Sequence, residues 1–194
     1  MALKLSQYSV LATLLYNGHA QTASSFVKES GLCVSFPCDR IAARKNIVSL
    51  IKSKDIPTAI SLIHELDPIL LQTREELAFK LYSQMLIDQF QDSPDNWMEI
   101  TDKFTSNLAE LGCSPEKFID RLGELGLLLV IDDPQLRGEF NVDRLLDPKC
   151  RFLVANDVNE ALMMQEGWLN KESLSLFPTL GRLVQLKSVL ESRM

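Results

Sequence analysis

The chain has 194 residues, 46% hydrophobic and 24% charged, enough to bury one core of ordinary size or two closely packed sub-domains. Its net charge of −6 argues against a nucleic-acid partner, which would need a basic surface to offset phosphate. The longest strongly apolar run, Leu125 to Ile131, is too short to cross a bilayer, and MALKLSQYSV lacks the flank and length of a secretory signal. A cytoplasmic or nuclear protein without a membrane partner is expected.

The first apolar stretch predicts a helix over 4–16, and a glycine turn at Gly18 leads into a second helix over 20–30, closed by Gly31. Further helices are expected at 38–53 and 55–66, the latter carrying Ile56, Ala59, Ile60 and Ile63 as one buried stripe. The segment 73–91 is apolar nearly all round, from Leu77 to Phe90, which marks it as a central strut. Helices follow at 94–111 and 115–131, and the apolar end LGLLLVI of the second predicts deep packing there. DDPQLRGEF reads as a loop, followed by helices at 140–146, 148–166 and 171–192. The last carries Leu176, Leu180, Leu183, Val184, Leu186 and Leu190, spaced for a helical partner.

The punctuation supports an all-α fold. Asp67-Pro68, Ser93-Pro94, Ser114-Pro115, Asp133-Pro134 and Asp147-Pro148 each place a capping residue before a proline, where the missing N–H costs nothing. Gly18, Gly31, Gly112 and Gly167 stand where left-handed C-terminal caps would. No long linker, low-complexity tract or internal repeat interrupts the chain, so one compact helical unit is the economical reading.

Candidate chemistry is sparse. Cys33, Cys38, Cys113 and Cys150 include no close CxxC pair, and with His19 and His64 the only histidines, no structural zinc set forms. The thiols are expected to be free, and neither metal nor cofactor is predicted. His64 cannot face its neighbour Glu65 on a helix and reads as a partly exposed structural histidine; His19 reads as a helix-start residue. Asp132-Asp133 reads as a solvated loop. Gly123 and Gly126 lie inside an apolar helix, which suits close helix packing rather than phosphate binding. Arg40, Arg44 and Lys45 read as a solvated basic face.

Three stretches in order resemble a known family. LLATLLYNGHAQTASSFVKESG resembles a LisH motif through Leu11, Leu14, Leu15, Gly18, Thr22, Ala23, Phe26 and Glu29, with His19 where an aromatic is usual. Ile41 to Phe90 resembles a CTLH motif through Ala59, Ile60, Pro68, Leu70, Leu71, Leu77, Phe79, Leu81 and Gln84. There, Glu76 replaces a common asparagine and Asp88 a common glutamate. The C-terminal half resembles a CRA domain, most clearly at Val154, Ala155, Val158 and Asn159, while 91–117 matches weakly. The resemblance implies a LisH hairpin at 1–34 followed by a compact CTLH–CRA bundle, with CTLH at 38–92 and CRA at 93–194.

Proteins with this order and no SPRY or RING-like module are non-catalytic scaffold subunits of GID/CTLH-type ubiquitin ligases, and the order is also similar to the C-terminal half of Ran-binding-protein-M-like proteins. The resemblance implies self-association and binding to other LisH–CTLH–CRA subunits. Leu11, Leu14, Leu15, Gly18, Thr22, Ala23, Phe26, Leu180, Leu183, Leu186 and Leu190 are the implied interface residues. The rival readings are an oligomerisation adaptor of a transcriptional co-repressor and a small hydrolase using His64.

Overall fold

The computed structural model describes residues 2–131 and 133–166. Among these there are ten α-helices, three short 3-10 helices and no strand, as an all-α fold requires. The helices are α1 (Ala2–Tyr16), α2 (Ala20–Ser30), α3 (Cys38–Lys52), α4 (Ile56–Leu66), α5 (Leu70–Thr73), α6 (Glu75–Asp92), α7 (Trp97–Glu110), α8 (Ile119–Val130), α9 (Pro134–Glu139) and α10 (Pro148–Gln165). The leucines expected on a helix at 171–192 lie outside the described residues.

The expectation of a single compact unit is corrected. The chain divides into one unit of residues 1–46 and 159–194 and another of 47–158. Both boundaries fall inside helices, α3 and α10, so no change of composition announces them.

In the second unit α6 is the strut, burying Leu77, Ala78, Phe79, Leu81, Tyr82, Met85, Leu86 and Ile87. Each fully buried Leu, Ile or Phe contributes about 1.5–3 kcal/mol. Phe79 stacks on Phe118 at 4.2 Å between ring centroids and meets Phe104 edge-on at 6.1 Å. Two polar residues on the same helix are also buried. Asp88 receives both Nε (3.1 Å) and Nη2 (2.7 Å) of Arg151 from α10, together with Gln84 Nε2 at 3.0 Å. A buried carboxylate is tolerated only when paired and hydrogen-bonded in this way. From α4, Ile56, Ala59 and Ile63 are fully buried as one stripe.

Two readings of the sequence change here. DDPQLRGEF is not all loop, because Pro134–Glu139 forms α9, opened by Asp133 Oδ1 accepting from Gln135 N–H at 2.8 Å. The proline signature outweighed the polar composition. The end of α8 is not deeply packed throughout: Leu125 and Leu128 are buried, but Leu127 is exposed and Val130 is 76% exposed. Successive helical residues turn about 100°, so consecutive leucines cannot share one face. Gly123 and Gly126 likewise meet nothing within 4 Å of an added Cβ, so no close helix packing accounts for them among the described residues.

One backbone position runs against its residue. α3 ends with Asp55 N–H donating to Leu50 O at 2.9 Å and Lys54 N–H to Ile51 O at 3.3 Å, the pattern that glycine usually closes. Lys54 occupies it at φ 73°, with its ammonium on exposed Asp92 at 3.1 Å. A Cβ in the left-handed region costs more than such an exposed pair returns. Lys54→Gly is expected to raise unfolding stability by about 0.5–1 kcal/mol, read as a higher urea midpoint at unchanged slope.

Candidate functional site

The LisH-like stretch folds as the expected hairpin. α1 closes with His19 N–H donating to Leu14 O at 2.9 Å and Gly18 N–H to Leu15 O at 3.2 Å. This is a Schellman end, and it requires the left-handed φ of 72° that Gly18 adopts. Gly18 is doubly constrained: an added Cβ would stand 2.6 Å from the Lys45 Cβ. Sequence then turns directly into α2, whose N-cap is His19; its imidazole makes no capping bond.

Inside the hairpin Leu11, Leu15, Ala23 and Ile41 form a buried cluster. Leu14 and Phe26 are half-buried against it, while Thr22 and Glu29 are exposed. Thr22 therefore is not among the packed residues of the turn. The extended segment after α2 adds Leu32, Val34 and Phe36 to the cluster on alternate positions, with Cys33, Ser35 and Pro37 exposed between them. The apolar stripe of α1 thus finds part of its cover within its own chain. The two flanks of that stripe do not: Tyr8, on one side of it, is 50% exposed and Val10, on the other, 46%.

The residue that fastens the hairpin was read from sequence as part of a solvated basic face, and this is corrected. Arg44 is 1% exposed. Its Nη2 donates to Leu15 O at 2.7 Å, and its Nη1 donates to Tyr16 O at 3.3 Å and to Asn159 Oδ1 at 2.5 Å. Asn159 Nδ2 in turn donates to Tyr16 O at 3.2 Å. The last carbonyls of a helix have no intrahelical donors and carry its negative dipole end, so a planar cation with forked donors satisfies them well. The signal was available: Arg44 lies three residues after Ile41 and three before Ile47, on the buried stripe of α3. Tyr16 adds its hydroxyl, donating to Glu160 Oε1 at 3.2 Å, and burial followed by the Glu160 charge pushes its pKa up to about 12.

Glu166 completes the group. Its carboxylate lies 4.0 Å from Arg44 Nε and 3.7 Å from Arg40 Nε, nearly buried, and neither oxygen accepts a hydrogen bond among the described residues. Burial holds it above the usual carboxylate range, with Arg44 and Arg40 pulling the other way. The other chemistry-bearing residues do not converge on this group. His64 is half-buried on α4, Cys33 and Cys38 are exposed free thiols, Cys113 is buried and Cys150 half-buried. Among the described residues no three His, Cys, Asp or Glu side chains stand close enough to share a metal ion. Leu180, Leu183, Leu186 and Leu190 lie outside the described residues.

Arg44→Lys keeps the charge but loses the fork. It is expected to cost about 2–4 kcal/mol in a denaturant melt, because the carbonyls of Leu15 and Tyr16 lose donors in a buried place. The Glu166 contribution has a definite sign. With its folded value raised above 4.5, the folded chain holds a proton that the unfolded chain has already lost. That contribution is most favourable in acid and declines as pH rises through the folded value. Relative to wild type, Glu166→Gln is expected to be near neutral in acid and stabilising at neutral pH, measured by paired melts across that range.

Residues 40–188 match the CTLH/CRA domain found C-terminal to the LisH motif. Relatives include the Protein GID8 homolog of Arabidopsis thaliana, 27% identical over 157 residues, which are 81% of this chain and 63% of the relative. The GID complex subunit 8 of Schizosaccharomyces pombe is 29% identical over 172 residues, 85% of this chain and 71% of its own. The Glucose-induced degradation protein 8 homolog of Dictyostelium discoideum is 27% identical over 157 residues, 81% of this chain and 67% of its own. The match therefore spans 63% to 71% of the length of these relatives. With more than half its length matched, the chain belongs to the CTLH/CRA family of domains that follow a LisH motif.

Proposed function

We propose that this protein is a non-catalytic connecting subunit of a GID-type ubiquitin ligase, working in the cytoplasm, the nucleus or both. Its partners are a second copy of itself and other LisH–CTLH–CRA subunits. The observation that carries the reading is the family match over residues 40–188, joined to relatives named as subunit 8 of the GID complex. In this reading residues 1–34 are the LisH hairpin, 38–92 the CTLH segment and 93–194 the CRA domain. One contact is made by the hairpin with the leucines at 180, 183, 186 and 190, and another by the CTLH segment with the start of the CRA domain.

The hairpin geometry supports this division of labour. Leu11, Leu15 and Ala23 hold the hairpin together from inside, so their part in association is to fix the shape that is presented. Tyr8 and Val10, at the two exposed edges of the α1 stripe, supply the apolar surface that an isologous partner would cover. A charge at Leu15 would disturb the inner cluster as well as any interface; charges at Tyr8 and Val10 act on the outside alone.

The double substitution Tyr8→Lys, Val10→Lys is expected to convert an oligomer into a monomer while leaving the helical circular dichroism intact. Size-exclusion with light scattering reads the mass. A monomeric wild type, or an unchanged mass in the variant, would sink the self-association.

A further inference from the structure

From Asp92 to Glu99 every side chain of the second unit is exposed, and the stretch includes Trp97, 44% exposed, and Met98, 64% exposed. The inward side of the same helix is satisfied, with Ile100 and Phe104 buried. Trp97 and Met98 are consecutive and so point about 100° apart, Trp97 at the edge of the buried stripe of Ile100 and Phe104 and Met98 outward; the exposed apolar ridge they make, one of them the residue type that most often anchors interfaces, marks a place where something docks.

The charges around them state what kind of partner fits. No lysine or arginine occurs between Lys80 and Lys103, whereas Asp92, Asp95, Glu99 and Asp102 are all there. Asp92 pairs with Lys54 at 3.1 Å and Glu99 with Lys103 at 2.7 Å, both in solvent. No described cation pairs with Asp95 or Asp102. Asp95 lies in the 3-10 helix Pro94–Asn96 that runs straight into α7, one turn before Met98, and Asp102 lies one turn after it. The surface is an apolar anchor point between two uncompensated carboxylates.

We propose that this corner of α7 is a docking site for a basic amphipathic helix of a partner protein, with an apolar side chain seated on Trp97 and Met98 and Lys or Arg one turn to either side. A second copy of the chain is a poor occupant, because it would bring the same carboxylates against each other on a protein of net charge −6. Nucleic acid is repelled for the same reason. The site is separate from the hairpin; it lies where the CTLH segment meets the start of the CRA domain, so it rests on the second contact proposed above and names the chemistry of its partner.

The chain has two tryptophans, so Trp168→Phe leaves Trp97 as the sole reporter. The probe is an 18-residue helical peptide of leucine and lysine without aromatic residues, beside a twin with every lysine replaced by glutamate. The lysine peptide is expected to shift Trp97 emission to the blue with a dissociation constant on the order of micromolar at low salt, weakening as salt rises. Replacing Asp95 and Asp102 together by lysine is expected to weaken binding at least about tenfold, while Glu116→Lys with Asp120→Lys, the same change of charge elsewhere, leaves it within about twofold. The proposal is overturned if Trp97 does not respond, if the glutamate peptide binds as well, or if both charge changes weaken binding alike. A Trp97 emission that shifts with protein concentration alone assigns the face to a second copy. Emission already blue-shifted and insensitive to peptide assigns it to the chain's own residues 167–194. Either result also overturns the proposal.

Discussion

The hairpin depends on one buried cation. A Schellman turn satisfies the carbonyls of Leu14 and Leu15, but it leaves the final carbonyl of α1, that of Tyr16, without a backbone donor. Arg44 and Asn159 both donate to that oxygen, and Arg44 also donates a second bond to the carbonyl of Leu15. Because Arg44 belongs to α3 and Asn159 to α10, the end of α1 is tied to residues 28 and 143 positions away in sequence. The turn geometry and the clamp are coupled. Gly18 passes so close to the Lys45 stem that only a glycine lets α3 come near enough for its neighbour Arg44 to reach the carbonyls.

The second unit solves a similar problem in a different way. Its strut, α6, is buried on most sides, so a polar residue on it has no route to water. Asp88 is therefore matched by a bidentate Arg151 and by Gln84 on its own helix. Such a pair adds little net stability over an apolar substitute, but it admits few alternative arrangements of α10 on α6. The aromatic trio of Phe79, Phe104 and Phe118 fixes α7 and the 3-10 helix Pro115–Phe118 to the same strut by shape rather than charge.

Most helix positions were legible because their signals are local. Asp133 before Pro134 and Asp147 before Pro148 start helices, with Asp147 Oδ1 accepting from Lys149 N–H at 2.9 Å, and Gly18, Gly31 and Gly112 adopt the left-handed caps. Packing was less legible. LGLLLVI reads as core by composition, yet helical geometry turns Leu127 and Val130 outward. The segment 32–37 carries a period of two over six residues, too short to stand out beside long helices, and still it covers the hairpin core. For Arg44, charge points to the surface and position to the core, and its place between Ile41 and Ile47 outranks its hydrophilicity. The Asp88–Arg151 pair joins residues 63 positions apart, and nothing local announces it.

What the two units share is the way apolar area is divided. Tyr8 and Val10 on the first, and Trp97 and Met98 on the second, sit on helices whose inward stripes already have packed cores. Folding gains nothing from leaving them in water, since a polar residue there would serve the monomer equally well. The two patches also differ in character. α1 carries no carboxylate; its one charged residue is Lys4, one turn before Tyr8, and Gln7, Ser9 and Thr13 are uncharged, so a like surface brings few charges against itself. Trp97 and Met98 are ringed by acids, which excludes a like surface and selects a basic one. A chain with one self-compatible patch and one self-repelling patch can hold two different partners at once without competition between them. In the connecting role proposed above, the charges beside the exposed apolar residues decide which partner each patch takes.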